Sequence, residues 1–253
     1  MKSRYKIQLN ENHQSMGQIY IIPHAGGNYS QYLSYKDLLT NKIETIFLEL
    51  PGRGSNVKDQ EHVTGWNDFI EKSFELVANP DKPTIIMGHS FGSLIAFELV
   101  KRLEERGFKN LLLITSAYLA PTTENLKKIP KVSQLSDDCL WEEVKKYGAI
   151  PANIVQDPKL NSFFIKPLRF DFEMMESYQN PDLTKIQSPI ITLLGADDSI
   201  YDFSQMEEWK HFTKNSYKLK IFNGDHFYLL KNAPVVATAI NQMIENFLSG
   251  SRL

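Results

Sequence analysis

Thr-Ile-Ile-Met-Gly-His-Ser-Phe-Gly, residues 84–92, joins a short apolar run to a helical pattern through a tight turn. The run 84–87 ends at Gly88, and apolar residues recur at helical spacing over 94–103. Glycines on both sides of Ser90 complete the pattern G-x-S-x-G, in which a strained turn holds a serine hydroxyl clear of the backbone. The pattern predicts that Ser90 is a nucleophile, and a plain tight turn is the alternative interpretation.

Further short apolar runs occur on both sides of this turn. Runs rich in Ile and Leu and bounded by Gly or Pro favour strands that are buried on both faces of a sheet. Helical patterns lie among them, for example at 66–78 and 235–248. This alternation predicts an α/β fold with a mostly parallel central sheet flanked by helices. The other predicted strands are 19–22, 45–50, 111–115, 190–194 and 217–222.

The region 120–183 interrupts the alternation, because it contains no convincing strand pattern. Ser136 is a good N-cap for a first helix that would stop near Gly148. Asp157 followed by a proline predicts the start of a second helix, and 167–178 predicts a third. We therefore expect a single domain, 1–253, that carries a helical insertion at about 120–183.

The last part of this insertion has more apolar residues than one buried helix face requires. They are either a wall for an apolar substrate or the packing surface of an insertion that only covers the core. The candidates for substrate contact are Phe163, Phe164, Phe170 and Met174.

Composition excludes several classes of function. The 253 residues include 28 Lys and Arg against 30 Asp and Glu, so the chain lacks the basic character of nucleic-acid or anionic-membrane binders. The single cysteine, Cys139, excludes an internal disulfide and a thiolate metal cluster. We expect no secretory signal, because no apolar segment follows the first basic residues, and no stretch approaches the roughly 20 apolar residues that span a bilayer. We expect a cytoplasmic protein with no metal site and no nucleic-acid or membrane partner.

A serine hydroxyl needs a neighbouring base before it attacks a carbonyl carbon. Of the six histidines, His24 and His226 follow predicted strand ends, where α/β enzymes place their sites. Asp197 and Asp198 follow the predicted strand 190–194, and their spacing does not choose between them. The chain order Ser, Asp, His is the order of hydrolases built on G-x-S-x-G, and it favours His226 as the base. A solvated loop histidine and a plain turn are the alternatives.

The same chemistry requires hydrogen-bond donors for the oxyanion that forms during attack. The backbone N–H of Phe91 follows the serine and supplies one donor. A second donor is expected from the loop after an early strand, which here is Pro-His-Ala-Gly-Gly at 23–27. Small residues there allow the backbone to approach a substrate oxygen, although a glycine-rich loop without substrate contact is the alternative.

Taken in order, six blocks of the sequence resemble the type II thioesterases, α/β-hydrolases that serve nonribosomal peptide and polyketide synthases. The serine block is general to the superfamily, whereas PHAGG, PGRG and LR-x-D-x-x-x-x-E-x-Y are more particular to this family. The blocks cover most of the chain: IYIIPHAGG at 19–27, FLELPGRGSN at 47–56, IMGHSFGSLIAFELV at 86–100, PLRFDFEMMESY at 167–178, LLGADD at 193–198 and FNGDHFYLL at 222–230.

The resemblance implies a role for each matching residue. It makes Ser90 the nucleophile, Asp198 the acid and His226 the base. It makes Ala25 and Phe91 the oxyanion donors. It also implies an α/β-hydrolase fold in which the helical insertion is a mobile lid over an acyl channel.

The resemblance further implies the substrate and the partner. The enzyme would hydrolyse acyl or aminoacyl thioesters on acyl or peptidyl carrier proteins of a synthase, and would thereby regenerate stalled synthases. It needs no cofactor, since phosphopantetheine arrives on the carrier protein. We expect a monomer. Charges at 120–180 nearly balance, so they do not support a carrier-docking face. The alternatives are a small-molecule carboxylesterase or lipase-like hydrolase with the same triad, and a non-catalytic binding module on this scaffold.

Overall fold

A seven-stranded sheet forms the centre of the protein in the computed structural model, which describes residues 6–8, 14–51, 53, 63–75, 77, 82–147, 157–179 and 183–251. The strands are β1 Lys6–Gln8, β2 Gly17–Ile22, β3 Ile43–Leu48, β4 Thr84–His89, β5 Leu111–Ser116, β6 Ile190–Gly195 and β7 Tyr217–Phe222. Their order in the sheet is β1-β3-β2-β4-β5-β6-β7. β1 pairs antiparallel with β3, and every other pair is parallel.

Helices cover both faces of the sheet and bury two apolar clusters. One cluster includes residues of the helices at 66–74, 91–105 and 158–177, and the other includes residues of the helices at 34–38 and 233–248. This arrangement confirms the predicted α/β class and the mostly parallel sheet. The helices of the described ranges are α1 Ser34–Leu38, α2 Trp66–Phe74, α3 Phe91–Glu105, α4 Thr123–Leu126, α5 Asp137–Lys145, α6 Pro158–Ser177, α7 Phe203–Glu207, α8 Tyr228–Lys231 and α9 Ala233–Leu248.

The six predicted strands are all present, with ends that differ by up to two residues from the prediction. The sequence analysis did not foresee β1, which is only three residues long. The expectation of burial on both faces was wrong for β7, in which buried and more exposed positions are mixed. β7 is an edge strand of the sheet that the described residues form, and Phe222 is its one buried residue.

Three helices, α4, α5 and α6, lie between β5 and β6 within the described parts of the predicted insertion. α5 begins after Ser136, whose side chain accepts a hydrogen bond from the Cys139 amide, as the N-cap pattern predicted. The expected stop at Gly148 lies outside the described residues. Cys139 itself is exposed on α5.

The prediction of two helices at 157 and 167 was wrong, because α6 continues through Pro167 as one helix of 20 residues. A proline inside a helix removes one backbone hydrogen bond and costs about 3 kcal/mol. Ile165 and Leu168, on either side of Pro167, are both buried in the core. Their packing favours an unbroken helix and offsets the local preference of the proline.

None of the helices in the described ranges is long and apolar enough to cross a membrane. In the same part of the chain, no group of three or more His, Cys, Asp or Glu side chains is arranged to hold a metal ion.

Candidate active site

Ser90 occupies the sharp turn between β4 and α3. Its backbone φ is +52° and ψ is −124°, a conformation that residues with a side chain rarely adopt. The Ser90 amide donates to the Ser116 carbonyl at 2.7 Å, which ties the turn to the end of β5. Both flanking residues must be glycine, because the backbone around them leaves no room for a side chain. A Cβ on Gly88 would lie 2.0 Å from the Gly92 carbonyl oxygen, and one on Gly92 would lie 2.4 Å from the Ile22 carbonyl oxygen.

A chain of hydrogen bonds connects Ser90 to the carboxyl ends of β6 and β7. Nε2 of His226 lies 3.2 Å from the Ser90 Oγ, and Nδ1 of His226 lies 2.9 Å from Oδ2 of Asp198. The side chains of His226 and Asp198 are 2% and 0% exposed. The structure therefore brings together the three side chains that the sequence analysis proposed as nucleophile, base and acid.

Two backbone amides hold the Asp198 carboxylate in place. Oδ1 accepts hydrogen bonds from the amides of Ile200 at 2.9 Å and Tyr201 at 3.2 Å, which leaves Oδ2 for the imidazole. Asp197 is exposed and its amide donates to the Gly224 carbonyl instead. The residue pattern left both aspartates open, and this geometry selects Asp198 as the partner of the histidine.

Gly195 allows the two loops to meet. A Cβ at this position would lie 2.4 Å from the Gly224 carbonyl oxygen and 2.5 Å from that of Asp225. The loop that carries Asp198 and the loop that carries His226 therefore touch through backbone atoms. Asp225, the neighbour of His226 in the chain, accepts a hydrogen bond from the Phe227 amide and pairs with Lys231.

The loop 23–27 lies beside the nucleophile. Ala25 and Ser90 line the same cavity, and Phe91 is the first residue of α3, where an amide has no acceptor within the helix. The neighbouring Gly26 amide donates to Oδ2 of Asp171 at 2.7 Å, and the same oxygen is bonded to Arg53. Ala25 therefore shares the cavity of Ser90, and the Phe91 amide directly follows the serine. Their role as the two oxyanion donors stays a prediction.

A cavity of about 290 Å³ opens above Ser90 and His226, between the sheet edge and the insertion. Its wall is mostly apolar, and polar side chains such as Gln31, Lys128 and Gln205 also contribute to it. The apolar side chains that line it include Leu119, Leu126, Trp141, Phe164, Leu168 and Phe172.

Only part of the predicted substrate wall faces this cavity. Phe164 lines it, whereas Phe163 is 54% exposed and Phe170 and Met174 are buried outside the lining. Phe170 packs instead against Phe69 of α2. Phe163, Phe170 and Met174 do not line the cavity, because the single unbroken α6 presents a different face to it. That face repeats every three or four residues and consists of Phe164, Leu168, Phe172 and Met175.

Aromatic side chains surround His226, and the sequence analysis did not identify them. The ring centres of Tyr147 and Tyr201 lie 5.6 Å and 5.9 Å from that of His226, and Phe227 lies at 5.0 Å. Burial is the main cause that raises the pKa values of both tyrosines. Tyr147 follows α5, so one residue of the insertion contacts the imidazole directly. No sequence pattern around Tyr147 predicts this contact.

Two further histidines are buried next to the site. Nδ1 of His89 lies 2.9 Å from the Ser116 Oγ, which in turn contacts the Tyr228 hydroxyl at 2.7 Å. Burial is the main cause that lowers the pKa of His89 well below its ordinary value of 6.5, so the ring is neutral. His24 lines the cavity itself. The sequence analysis placed His24 at a strand end but gave it no role.

A sequence match over most of the chain identifies its family. Residues 17–245 match the family described as the thioesterase domain. The chain belongs to this family. The protein is therefore a thioesterase and a hydrolase, which confirms the resemblance found in the sequence.

Several relatives of this thioesterase have names or structures. Thioesterase TesA of Mycobacterium marinum is 29% identical over 224 residues, which are 88% of each chain. The gramicidin S biosynthesis protein GrsT of Aneurinibacillus migulanus is 27% identical, over 91% of this chain and 90% of its own length. ClbQ from the colibactin NRPS/PKS pathway has a TM-score of 0.82 and 25% identity, over 92% of this chain and 98% of that one. The type II thioesterase BorB from the borrelidin cluster has a TM-score of 0.81 and 26% identity, over 96% and 97%.

Proposed function

We propose that this thioesterase hydrolyses acyl or aminoacyl thioesters on the phosphopantetheine arm of carrier proteins, and so restores stalled nonribosomal peptide or polyketide synthases. The observation that carries the proposal is the hydrogen-bonded series Ser90, His226 and Asp198 at the base of a largely apolar cavity. Relatives named for gramicidin S biosynthesis and for an NRPS/PKS pathway support the choice of substrate.

In the first half of the reaction, the Ser90 Oγ attacks the thioester carbonyl carbon. Nε2 of His226 accepts the serine proton, and Asp198 stabilises the resulting imidazolium through Nδ1. The carbonyl oxygen becomes an oxyanion that accepts hydrogen bonds from the amides of Ala25 and Phe91. The C–S bond then breaks, the imidazolium returns its proton to the sulfur, and an acyl-Ser90 ester remains. A thiol with a pKa near 8.5 leaves more readily than an alcohol, so it demands less of the histidine as an acid.

In the second half, water replaces the thiol in the cavity. His226 accepts a proton from the water as the oxygen attacks the acyl carbon, and the same two amides stabilise the second oxyanion. The C–O bond to Ser90 breaks, the imidazolium protonates the serine oxygen, and the carboxylic acid leaves. The enzyme ends in its starting state without any cofactor. The phosphopantetheine belongs to the carrier protein, and we expect a monomer to suffice because all these groups come from one chain.

The proposal is tested by comparing an acyl-phosphopantetheinyl carrier protein with simple p-nitrophenyl esters of the same acyl group. We expect a higher kcat/KM for the carrier-bound thioester, and loss of both activities in Ser90→Ala. A fluorophosphonate probe should label the native enzyme and leave Ser90→Ala unlabelled. Turnover of the simple esters with the carrier ignored would instead favour a small-molecule carboxylesterase. Absence of labelling in a folded native protein would favour a non-catalytic binding module.

A further inference from the structure

His24 has a hydrogen-bonding arrangement that fixes the position of its ring proton. The His24 amide donates to the Tyr32 hydroxyl oxygen at 3.3 Å, and Nδ1 of the same residue lies 2.7 Å from that oxygen. Tyr32 is completely buried. A tyrosine hydroxyl has one proton to donate, and a neutral imidazole has one nitrogen that donates and one that accepts.

These contacts select one tautomer. The Tyr32 hydroxyl oxygen accepts a hydrogen bond from the His24 amide. Within the described parts of the chain, Nδ1 of His24 is the one atom in reach that can accept the hydroxyl proton. The buried hydroxyl proton therefore goes to Nδ1, since leaving it without an acceptor would cost about 1–3 kcal/mol. Nδ1 is then the acceptor of the ring, and Nε2 carries the ring proton.

Nε2 of His24 is open to the active-site cavity. It has no hydrogen-bond partner among the described residues, yet it is not sealed from solvent, in contrast to the unpartnered Nε2 of His89. His24 keeps 8% of its surface accessible and lines the cavity that also contains Ser90 and His226. The ring centre of Phe227 lies 5.0 Å from that of His24. The imidazole also packs closely on Gly27, where an added Cβ would lie 2.7 Å from its Cε1 atom. The N–H thus faces the cavity in a fixed orientation, and none of the described residues accepts a hydrogen bond from it.

We propose that His24 is a substrate-contacting residue whose Nε2–H donates a hydrogen bond to the acyl oxygen next to Ser90, as a side-chain donor beside the backbone amides of Ala25 and Phe91. This inference rests on the proposed function, because it assigns His24 to the same oxyanion. Ala25 directly follows His24 in the chain, so the backbone donor and the side-chain donor belong to the same loop.

The His24 ring is neutral near pH 7. Burial, followed by the nearby His226 and Arg53, lowers the pKa of His24 to about 3. A neutral donor fits this position, since a second imidazolium next to His226 would oppose its protonation during attack. A neutral imidazole also keeps its tautomer as long as the Tyr32 hydroxyl is in place.

Two variants separate donation from packing. His24→Phe keeps an aromatic ring but removes the donor, whereas His24→Gln retains an N–H at a similar distance from the backbone. We expect kcat of acyl-thioester hydrolysis to fall roughly tenfold to a hundredfold in His24→Phe with KM changed less than kcat, and to recover in part in His24→Gln. A kcat/KM of His24→Phe within about twofold of the native value would overturn the proposal. Equal losses in both variants, with lowered melting temperatures, would assign His24 a structural role and would also overturn it.

A measurement on the native protein avoids any folding defect of the variants. Two-bond ¹H–¹⁵N correlation spectra of ¹⁵N-histidine-labelled protein report which ring nitrogen carries the proton, with His24→Phe used for assignment. We expect a neutral Nε2–H tautomer for His24, and the Nδ1–H tautomer would refute the inference whether or not Ser90 is reactive. After labelling of Ser90 with a fluorophosphonate, the phosphonyl oxygen takes the place of the oxyanion, and the Nε2–H proton should shift downfield. Labelling without this shift would leave the proposed function intact and remove His24 from it.

Discussion

One carboxylate oxygen of Asp171 on α6 holds both the guanidinium of Arg53 and the amide of Gly26. The ion pair is buried, with 3% and 0% of the two side chains exposed, and the Gly26 bond is 2.7 Å long. Three distant segments therefore meet at one atom: the loop beside Ser90, the loop after β3, and the insertion. These are the segments that contain the PHAGG, PGRG and LR-x-D motifs.

The first prediction concerns the stability that this contact provides. Asp171→Asn removes the carboxylate charge that pairs directly with the buried Arg53, so the free energy of unfolding should fall by about 3–5 kcal/mol. Burial lowers the pKa of Arg53 to about 10, although the Glu49 carboxylate opposes this effect, so the guanidinium stays charged near neutral pH. Urea unfolding of the native and variant proteins measures the difference. The double variant Arg53→Met/Asp171→Asn should recover part of the loss. A cost below about 1 kcal/mol in the single variant would contradict the prediction.

The second prediction distinguishes the two neighbouring aspartates. Asp198→Asn removes the acceptor that orients His226 and stabilises its protonated form, so kcat should fall roughly 10³- to 10⁴-fold. Asp197→Asn changes an exposed side chain and should leave kcat within about threefold of the native enzyme. Release of free thiol from an acyl thioester measures both. Similar losses in the two variants would show that the acid is misassigned.

The third prediction concerns the contact between the acid and base loops. In Gly195→Ala the new Cβ would meet the carbonyl oxygens of Gly224 and Asp225, so His226 should move away from Asp198 and kcat should fall at least tenfold. Gly107→Ala is the comparison, since its φ is +90° but no atom lies within 4 Å of the added Cβ. That variant should lose about 1 kcal/mol of stability through backbone strain and keep its kcat. Equal kcat values in the two variants would argue against the close approach.

The fourth prediction uses the two faces of α6. Phe172 lines the cavity and Phe170 packs on Phe69, although both are 5% exposed. Phe172→Ala should enlarge the cavity and shift the preference towards longer or bulkier acyl groups. Phe170→Ala should instead destabilise the fold by about 3–5 kcal/mol and leave the order of substrate preference unchanged. Steady-state kinetics over a series of acyl chain lengths, with unfolding curves for each protein, separates the two outcomes. A shift in preference caused by Phe170→Ala alone would reverse the assignment of faces.

The fifth prediction is a pH dependence of stability. Burial lowers the pKa of His24 to about 3 in the folded protein, whereas the ordinary value is 6.5. Between these values the unfolded chain binds a proton that the folded chain does not, so the free energy of unfolding should decrease as the pH falls from about 6 to about 4. His24 contributes about 1.4 kcal/mol per pH unit to this slope. His24→Phe should therefore have a shallower slope in urea unfolding at a series of pH values. Parallel slopes would mean that His24 is protonated in the folded protein.

The parts of the site that depend on local patterns were predictable from the sequence. The turn at Ser90 needs glycine at two fixed positions, and parallel strands place their following loops at one edge of the sheet. Ser90 and His226 therefore followed from short motifs and chain order. Asp198 could be separated from Asp197 only by family resemblance, because the choice depends on which carboxylate the amides of Ile200 and Tyr201 hold.

Features that depend on packing between distant segments were not predictable. The sequence around Pro167 favours a break in the helix, yet buried neighbours on both sides maintain α6, and this changes which face lines the cavity. Tyr147 reaches His226, and Tyr32 orients His24, through contacts that leave no periodic signal in the sequence. Such contacts require the three-dimensional arrangement of the insertion and the sheet.

Cys139 gives this enzyme a natural attachment point for a spectroscopic reporter. It is the single cysteine of the chain, and it lies exposed on α5, the helix that precedes Tyr147. A maleimide dye or spin label would therefore attach at one position without removal of any other thiol. Changes in its signal when a loaded carrier protein is added would test whether α5 moves. The same exposed thiol calls for a reducing agent during storage, since air oxidation would otherwise link two molecules through a disulfide.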